Sequence, residues 1–207
     1  MLYDYLIKNY KENEPIFVSD IDLPVTNTNL RQMFKNLCDE GKIRRFDKGV
    51  YYLPAKSRLK GVSSIAPDTV VQYKYVSRSG KVDGYYSGFT FANQMGVTTQ
   101  VPYTLEIVSN AASANVRQVD VKGRKVVLRK PKTMVTAQNY RILQFLDLLK
   151  DIEVYADDTD EDVAARLAKY VKDENMKQAD VDRYLPLYPD KVYKNLYEMR
   201  LYNAFAS

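Results

Sequence analysis

The sequence has 207 residues, of which 45% are hydrophobic, an ordinary proportion for a protein with at least one buried core. It contains no histidine, which excludes the commonest general base and every catalytic pair of histidine with serine or cysteine. With Cys38 as the only cysteine, the chain alone can form neither an internal disulfide nor a structural zinc site. We therefore expect a protein that is not an enzyme and that holds no metal or cofactor.

The net charge of +5 is distributed unevenly along the chain. Residues 1–60 carry 11 basic and 8 acidic residues, residues 61–135 carry 10 and 4, and residues 136–207 carry 10 and 14. Two basic sections before an acidic one favour a polyanionic partner for the first two, although such a charge can also serve solubility alone. No apolar run approaches the roughly 18 residues of a membrane span, and the first residues lack the pattern of a secretory signal. We expect a cytoplasmic protein without membrane contact.

The first section predicts three helical elements and a hairpin. Apolar residues recur at helical spacing over residues 3–10, and Ser19 can cap a short helical turn over residues 21–23. A longer helix opens in the polar run of residues 26–29 and ends at Gly41, which favours a left-handed stop. Two extended segments, residues 42–46 and 50–53, are joined by the three-residue loop Asp47-Lys48-Gly49. A basic linker over residues 55–61 follows.

The rest of the chain predicts a mixed section and then a helical one. The predicted elements are a strand over 69–76, turns at Gly80, Gly84 and Gly88, a helix over 89–95, a strand over 103–108, a hairpin of 116–121 with 125–129, helices over 139–149 and 163–171, and a final helix with Pro189 in its first turn. The fold class is therefore α+β. We predict a winged helix-turn-helix domain over residues 1–56 and a second domain over 57–207, mixed over 57–135 and helical over 136–207.

A helix with a polar N-terminal end, a glycine stop and a basic hairpin is typical of a winged helix-turn-helix that binds duplex DNA. The first residues of such a helix face the major groove, where Asn and Gln can pair with adenine and Arg with guanine. Cations on the hairpin would meet the phosphate backbone or the minor groove. The candidate DNA-binding residues are Thr26, Asn27, Thr28, Asn29, Arg31, Gln32 and Lys35 on the helix, and Arg44, Arg45 and Lys48 on the hairpin.

These residues also have purely structural interpretations. Thr26 or Asn27 can serve only as the N-cap of the helix, and Arg44 and Arg45 can be ordinary exposed strand residues. Arg45 interrupts a regular alternation of inward and outward positions, which leaves the register of the hairpin open. A hairpin of this kind can also contact protein instead of DNA, which makes a protein-binding adaptor an alternative.

Two segments resemble AbiEi-type abortive-infection antitoxins. The first is LRQMFKNLCDEGKIRRFDKGVYYL over residues 30–53, and the second is GYYSGFTFANQMGVTTQVP over residues 84–102 with EIVSN over 106–110. The resemblance covers residues 1 to about 131 and matches the later helices only in character. It implies an autorepressor that binds inverted repeats in its own promoter. It also implies an antitoxin that counteracts an AbiEii-like nucleotidyltransferase toxin without forming a stable complex.

By position, the resemblance assigns the antitoxin role to the basic part of the middle section. The densest run of cations there comprises Lys122, Arg124, Lys125, Arg129, Lys130 and Lys132. An ordinary solvated hairpin explains the same run equally well.

Three further patterns suggest other activities. Pro67-Asp68 with Asp120-Val121-Lys122 has the form of a Mg²⁺-dependent nuclease motif, in which two carboxylates hold the metal and the lysine steers a water. The acidic residues 157–162 lack the glycine and the final acid of a calcium loop and better suit the start of a helix. Tyr85 and Tyr86 could stack on single-stranded bases, although core packing is the simpler interpretation.

Overall fold

The computed structural model describes residues 1–55, 64–158 and 160–205 of an α+β protein, and this fold class is the predicted one. The chain divides into two compact units, Met1–Tyr73 and Lys74–Ser207. The domain boundary predicted between residues 56 and 57, and the predicted basic linker beyond Ala55, lie outside the described residues. Across the described ranges, no helix combines the length and the apolar character that crossing a bilayer requires.

The N-terminal unit packs two helices against a small sheet. Its elements before residue 56 are α1 (Leu2–Asn9), β1 (Ile16–Phe17), a 3-10 turn (Val18–Asp20), α2 (Asn27–Asp39), β2 (Arg44–Asp47) and β3 (Val50–Tyr52). The sheet has the order β1-β3-β2 and is antiparallel throughout. Leu6 from α1, Phe34 from α2 and Ile16 from β1 are fully buried in one core, which fixes α2 against the sheet.

The short helical turn lies earlier than the sequence predicts. The prediction placed it over residues 21–23, whereas the 3-10 turn ends at Asp20 and Ile21 is extended. Ile21 is buried in the core, and its backbone N–H donates to the Val18 carbonyl. The amide of Val18 donates to the Gly49 carbonyl, which ties the turn to the hairpin. Packing of Ile21 therefore ends the turn before the predicted helix begins.

The hairpin is closed by two residues instead of the predicted three. Asp47 pairs with Val50, so the turn consists of Lys48 and Gly49, and Gly49 has a φ of +75°. The extra residue is accommodated by a β-bulge between Arg45 and Asp47. Arg44 and Arg45 are both exposed before buried Phe46, so the alternation of inward and outward positions is interrupted at Arg45.

The predicted strand over residues 69–76 is wrong, because this segment forms helix α3 (Pro67–Tyr75). Val70, Val71 and Tyr75 are buried, a spacing that fits one side of a helix and not one face of a strand. Pro67 stands in the first turn, where a proline is tolerated because its missing N–H has no intrahelical partner. The alternation of polar and apolar residues from Thr69 onward imitates a strand.

The C-terminal unit begins with a mixed sheet. Its elements up to residue 129 are β4 (Ser77–Arg78), β5 (Lys81–Val82), β6 (Gly84–Tyr86), α4 (Gly88–Gln94), β7 (Leu105–Ser109), β8 (Val116–Val121) and β9 (Arg124–Arg129). β4 and β5 form a separate pair, and the main sheet has the order β6-β7-β9-β8. β7 and β9 are parallel, and the other neighbours are antiparallel. The structure confirms the predicted helix, the predicted strand before Ser109 and the predicted hairpin.

Gly84 lies in strand β6, whereas the sequence predicts a turn there. A Cβ atom at this position would stand 2.2 Å from the Tyr75 carbonyl oxygen and 2.5 Å from that of Val108. Glycine is therefore required here because two backbone segments approach closely. From the sequence alone, such a glycine cannot be distinguished from one in a turn.

Helices cover this sheet and form the larger core. They are α5 (Tyr140–Lys150), α6 (Ile152–Tyr155), α7 (Asp160–Asp173), α8 (Gln178–Tyr184) and α9 (Asp190–Glu198), with 3-10 turns at Leu185–Leu187 and Leu201–Ala204. Every residue of α5 from Ile142 to Leu149 is buried. The helices predicted over 139–149 and 163–171 are confirmed, whereas α6 and α8 were not predicted. Pro189 is the N-cap of α9 and not part of its first turn.

Candidate nucleic-acid interface

Helix α2 buries one side and exposes the other to solvent. Leu30, Phe34 and Leu37 are buried at spacings of three and four residues, which places them on one face. All ten candidate DNA-binding residues of α2 and the hairpin are exposed. The structure therefore leaves the predicted residues open to a partner.

The N-terminal end of α2 is fixed by Thr26. Its side-chain oxygen accepts a hydrogen bond from the backbone N–H of Asn29 at 3.3 Å. Thr26 is thus the N-cap of α2, one of the two residues for which the sequence allows this structural role. One turn further along the helix, Gln32 Nε2 donates to Asn36 Oδ1 at 2.8 Å, so Asn36 shares the exposed face although the sequence did not single it out.

A groove of about 750 Å³ separates the start of α2 from the hairpin. Four candidate residues line it: Asn27 and Arg31 from α2, and Arg45 and Lys48 from the hairpin. Asn27 and Arg31 are four residues apart and therefore lie on the same side of the helix. The remaining lining residues are Val18, Ser19, Gly49 and Tyr51. The structure thus brings together cations and an amide from two elements.

Ser19 and Tyr51 are groove residues that the sequence did not identify as part of the site. Tyr51 stands opposite Arg45 in the register of β2 and β3, and its ring centroid lies 4.6 Å from that of Phe34. The alternation along β3 could have indicated that Tyr51 points away from buried Val50 and Tyr52. No comparable signal was available for Ser19.

The cations of this surface are not neutralised locally. In the portion of the chain that the structure describes, Arg31, Lys35, Arg44, Arg45 and Lys48 form no ion pair. Arg45 Nε donates to the backbone oxygen of Asp47 at 3.3 Å, a contact that leaves its charge uncompensated. By contrast, Lys42 in the same unit pairs with Glu40 at 2.8 Å. The groove and its surroundings therefore carry free positive charge.

The other candidates stand outside the groove lining. They are Thr26, Thr28, Asn29, Gln32, Lys35 and Arg44. At 100° per residue, Asn29 lies roughly 160° around the helix axis from Arg31. Asn29 and Arg31 consequently cannot face the same point on a ligand.

The basic run of the middle section is not one patch. Lys122, Arg124 and Lys125 lie at the hairpin turn, where Arg124 Nη1 donates to the Tyr103 carbonyl at 2.8 Å and Lys125 Nζ is 5.8 Å from the centre of the Tyr103 ring. Arg129, Lys130 and Lys132 lie at or beyond the other end of β9. A six-residue strand spans about 20 Å, so the six candidate residues form two separate groups.

The residues behind the other sequence patterns have local structural roles. Asp120 Oδ1 accepts from the N–H of Gly123 at 2.8 Å and so stabilises the turn that contains Lys122. Asp157 Oδ2 accepts hydrogen bonds from Thr98 Oγ1 and from the backbone N–H and Oγ1 of Thr99, at 2.7 to 2.9 Å. These bonds lower the pKa of the Asp157 carboxyl. The possibility that Tyr85 stacks on bases is wrong, because its ring is buried.

Comparison with known proteins places the chain in a family but attaches no activity to it. No curated protein gives a significant match to the chain. A family model described as "Family of unknown function (DUF6088)" matches residues 4–179, which is most of the chain. The protein therefore belongs to the DUF6088 family.

Proposed function

We propose that the protein binds duplex DNA and that residues 1–55 contain a winged helix-turn-helix. The element order supports this assignment: helix, strand, helical turn, helix and hairpin, with the first strand completing a three-stranded sheet beside the hairpin. In this interpretation, the 3-10 turn Val18–Asp20 replaces the second helix, α2 is the recognition helix and the β2–β3 hairpin is the wing.

The observation that carries the proposal is the groove between α2 and the hairpin. Arg31 and Asn27 stand at the N-terminal end of an exposed helix, which is the end that helix-turn-helix proteins direct at base edges. Arg45 and Lys48 approach from the other wall without ion-pair partners among the described residues, as cations that contact phosphates would. The exposed side of α2 adds Lys35 to the same positive surface.

We further propose that the protein represses its own promoter and acts as the antitoxin of a nucleotidyltransferase toxin. This part of the proposal is supported only by the resemblance of residues 30–53 and 84–110 to AbiEi-type antitoxins. Co-expression tests it: if the neighbouring gene encodes a nucleotidyltransferase that arrests growth, the protein should restore growth. If growth stays arrested although the folded protein is highly expressed, the antitoxin role is contradicted. The proposal that the protein binds DNA does not depend on this result.

Binding to the protein's own promoter tests the DNA-binding role. Fluorescence anisotropy with a labelled promoter fragment should show tighter binding than to an unrelated duplex. Arg31→Ala and Arg45→Ala should each weaken promoter binding about tenfold or more, because each removes a charge-assisted contact. Lys42→Ala is the matched control, since it removes one charge from the same unit but stands outside the groove lining. Equal affinities for wild type and both arginine variants would overturn the proposed surface.

Base preference separates the two asparagines of α2. If Asn27 contacts a base edge from the groove, Asn27→Ala should relax the preference at one base pair by roughly 1–3 kcal/mol. Asn29 lies on the other side of the helix, and Asn29→Ala should change the preference less. Binding to a panel of promoters with single substitutions measures both effects, and the reverse order would place the base-reading face on the side of Asn29.

A further inference from the structure

A second pocket lies wholly within the C-terminal unit. It has a volume of about 250 Å³ and is bordered by β6, β7, the start of β8, the end of β9, and helices α5 and α6. Tyr85, Ser87, Val108 and Asp147 are the buried residues that form its floor. None of its lining residues belongs to the N-terminal unit.

The floor of the pocket holds two polar side chains, Ser87 and Asp147. Ser87 is only 8% exposed, and its hydroxyl makes no hydrogen bond within the described part of the chain. Asp147 is 9% exposed between the buried residues Leu146 and Leu148 of α5, and its Oδ2 accepts from the Tyr85 hydroxyl at 2.8 Å. Burial raises the pKa of the Asp147 carboxyl. The hydrogen bond from Tyr85 and the positive charges of Lys150 and Lys132 lower this pKa, but they only partly oppose the effect of burial. Among the described residues, the Ser87 hydroxyl has no hydrogen-bond partner and the Asp147 carboxylate has one donor, Tyr85. Both groups can therefore form further hydrogen bonds with a polar ligand.

The rim of the pocket carries more cations than carboxylates: Arg129, Lys130, Lys132 and Lys150 against Glu106 and Asp151. Lys130 and Lys132 are exposed and form no ion pair with any described residue, and Lys132 Nζ lies 5.2 Å from the centre of the Tyr188 ring. Arg129 is held in place by Glu106 at 3.2 Å, and Lys150 by Asp151 at 3.2 Å. Two free ammonium groups beside two oriented cations favour an anion at the mouth of the pocket.

We propose that this pocket binds a sugar phosphate, either free or as part of a nucleotide. The phosphate would lie among Lys130, Lys132 and Arg129 at the rim. The sugar hydroxyls would reach the floor, where a carboxylate accepts from a ribose hydroxyl as in many nucleotide sites and the Ser87 hydroxyl can donate or accept. A volume of about 250 Å³ lies below the roughly 300–1,000 Å³ of pockets that enclose a drug-sized ligand, so the pocket suits the sugar-phosphate part alone and is too small for duplex DNA.

Isothermal titration calorimetry with the full chain tests the proposal. Ribose 5-phosphate and AMP are the two probes, and inorganic phosphate and adenosine supply the separate halves of AMP. Both probes should bind more tightly than either half. Tighter binding of AMP than of ribose 5-phosphate would identify the nucleotide as the source, and the reverse order the free sugar phosphate. Absence of heat with both probes at millimolar concentration, or equal affinity for inorganic phosphate and the sugar phosphates, would overturn the proposal.

Variants locate the site. Lys132→Ala should weaken binding of the tighter probe about tenfold or more, and Ser87→Ala about fivefold, because they remove a charged and a neutral hydrogen bond. Ser87→Ala is not expected to disturb the fold, since its hydroxyl has no partner among the described residues. Lys169→Ala, which removes an exposed charge from α7 outside the pocket lining, is the control. Unchanged affinity in both pocket variants, or an equal loss in the control, would show that the ligand binds elsewhere.

Discussion

Glu106 shows how one side chain can hold two elements of the C-terminal unit together. Its Oε1 accepts from the N–H of Phe89 at 3.1 Å, and its Oε2 pairs with Arg129 Nη2 at 3.2 Å. The carboxylate fits there because residue 88 is glycine with a φ of +56°. A Cβ atom on Gly88 would lie 2.3 Å from Glu106 Oε1. The glycine at position 88 is thus explained by packing around a carboxylate.

Gly88→Ala should therefore lower the free energy of unfolding by roughly 3 kcal/mol or more, combining left-handed strain with a steric clash. Gly96→Ala is the matched control, because Gly96 also has a positive φ of +67° but has open space around it. Its cost should be only about 1–2 kcal/mol. Urea unfolding of both variants measures the difference, and equal losses would mean that the Glu106 carboxylate moves aside without cost.

Asp147 gives the unfolding free energy a specific pH dependence. Burial raises the pKa of this carboxyl above its ordinary value of 3.8, so the folded chain holds the proton more tightly than the unfolded chain. The contribution of Asp147 to stability is thus present below pH 3.8 and is lost as pH rises through the raised pKa. Asn at this position keeps an oxygen that can accept from the Tyr85 hydroxyl but carries no charge.

We expect the difference in unfolding free energy between Asp147→Asn and wild type to shift in favour of the variant as pH rises from 3.8 and then to level off. Urea unfolding at a series of pH values measures this difference, in which the titration of all other groups largely cancels. A difference that stays constant across the series would show that Asp147 has the same pKa in the folded and unfolded chains.

At the scale of elements, sequence predicted best where local chemistry and packing agree. The helix start within residues 26–29, the stop at Gly41 and the β8–β9 hairpin each follow from local signals, and the structure contains all three. α3 was missed because its pattern of polar and apolar residues fits two periods, and only burial of Val70 and Val71 together decides for the helix. The sequence left the register of the hairpin open for a similar reason, because the register depends on which residue is buried in the core.

The cap at Thr26 sets the stability of the start of α2. Thr26→Ala should lower the free energy of unfolding by about 1 kcal/mol, because the N–H of Asn29 loses its acceptor. Thr26→Ser keeps the side-chain oxygen and should preserve most of the stability. Thermal or urea unfolding of the two variants provides the comparison. If serine and alanine cost the same, the methyl group of Thr26 and not its hydroxyl would account for the loss.

At the scale of the whole molecule, sequence predicted the composition of the candidate surfaces better than their assembly. The ten candidate residues of the first section were chosen as polar or charged residues on one helix and the hairpin, and four of them line one groove. The pocket of the C-terminal unit was not predicted, because it joins residues as distant in the chain as Tyr85 and Tyr155. The six cations of the basic run around β9 are close together in the sequence, but the extended strand separates the two ends of the run.

The free cations of the N-terminal unit should make DNA binding strongly dependent on salt. Each cation that neutralises a phosphate releases counterions, so the logarithm of the binding constant should fall linearly with the logarithm of salt concentration. Lys48→Ala should reduce the slope by about one if Lys48 contacts a phosphate. Anisotropy titrations between low and physiological salt give this slope. A slope that is identical in wild type and Lys48→Ala would remove Lys48 from the interface.

Strand β9 is the last of the main sheet in the chain but lies between the two strands that precede it. The sheet therefore cannot assemble in the order of synthesis. β8 and β9 are separated by two residues, whereas Leu105 of β7 meets Val126 of β9, 21 positions away. Short loops close at the lower entropic cost. We expect β8 and β9 to pair first and then to dock onto β7 as a preformed hairpin. Pulsed hydrogen exchange should therefore show protection of the Val119 amide before that of the Ile107 amide.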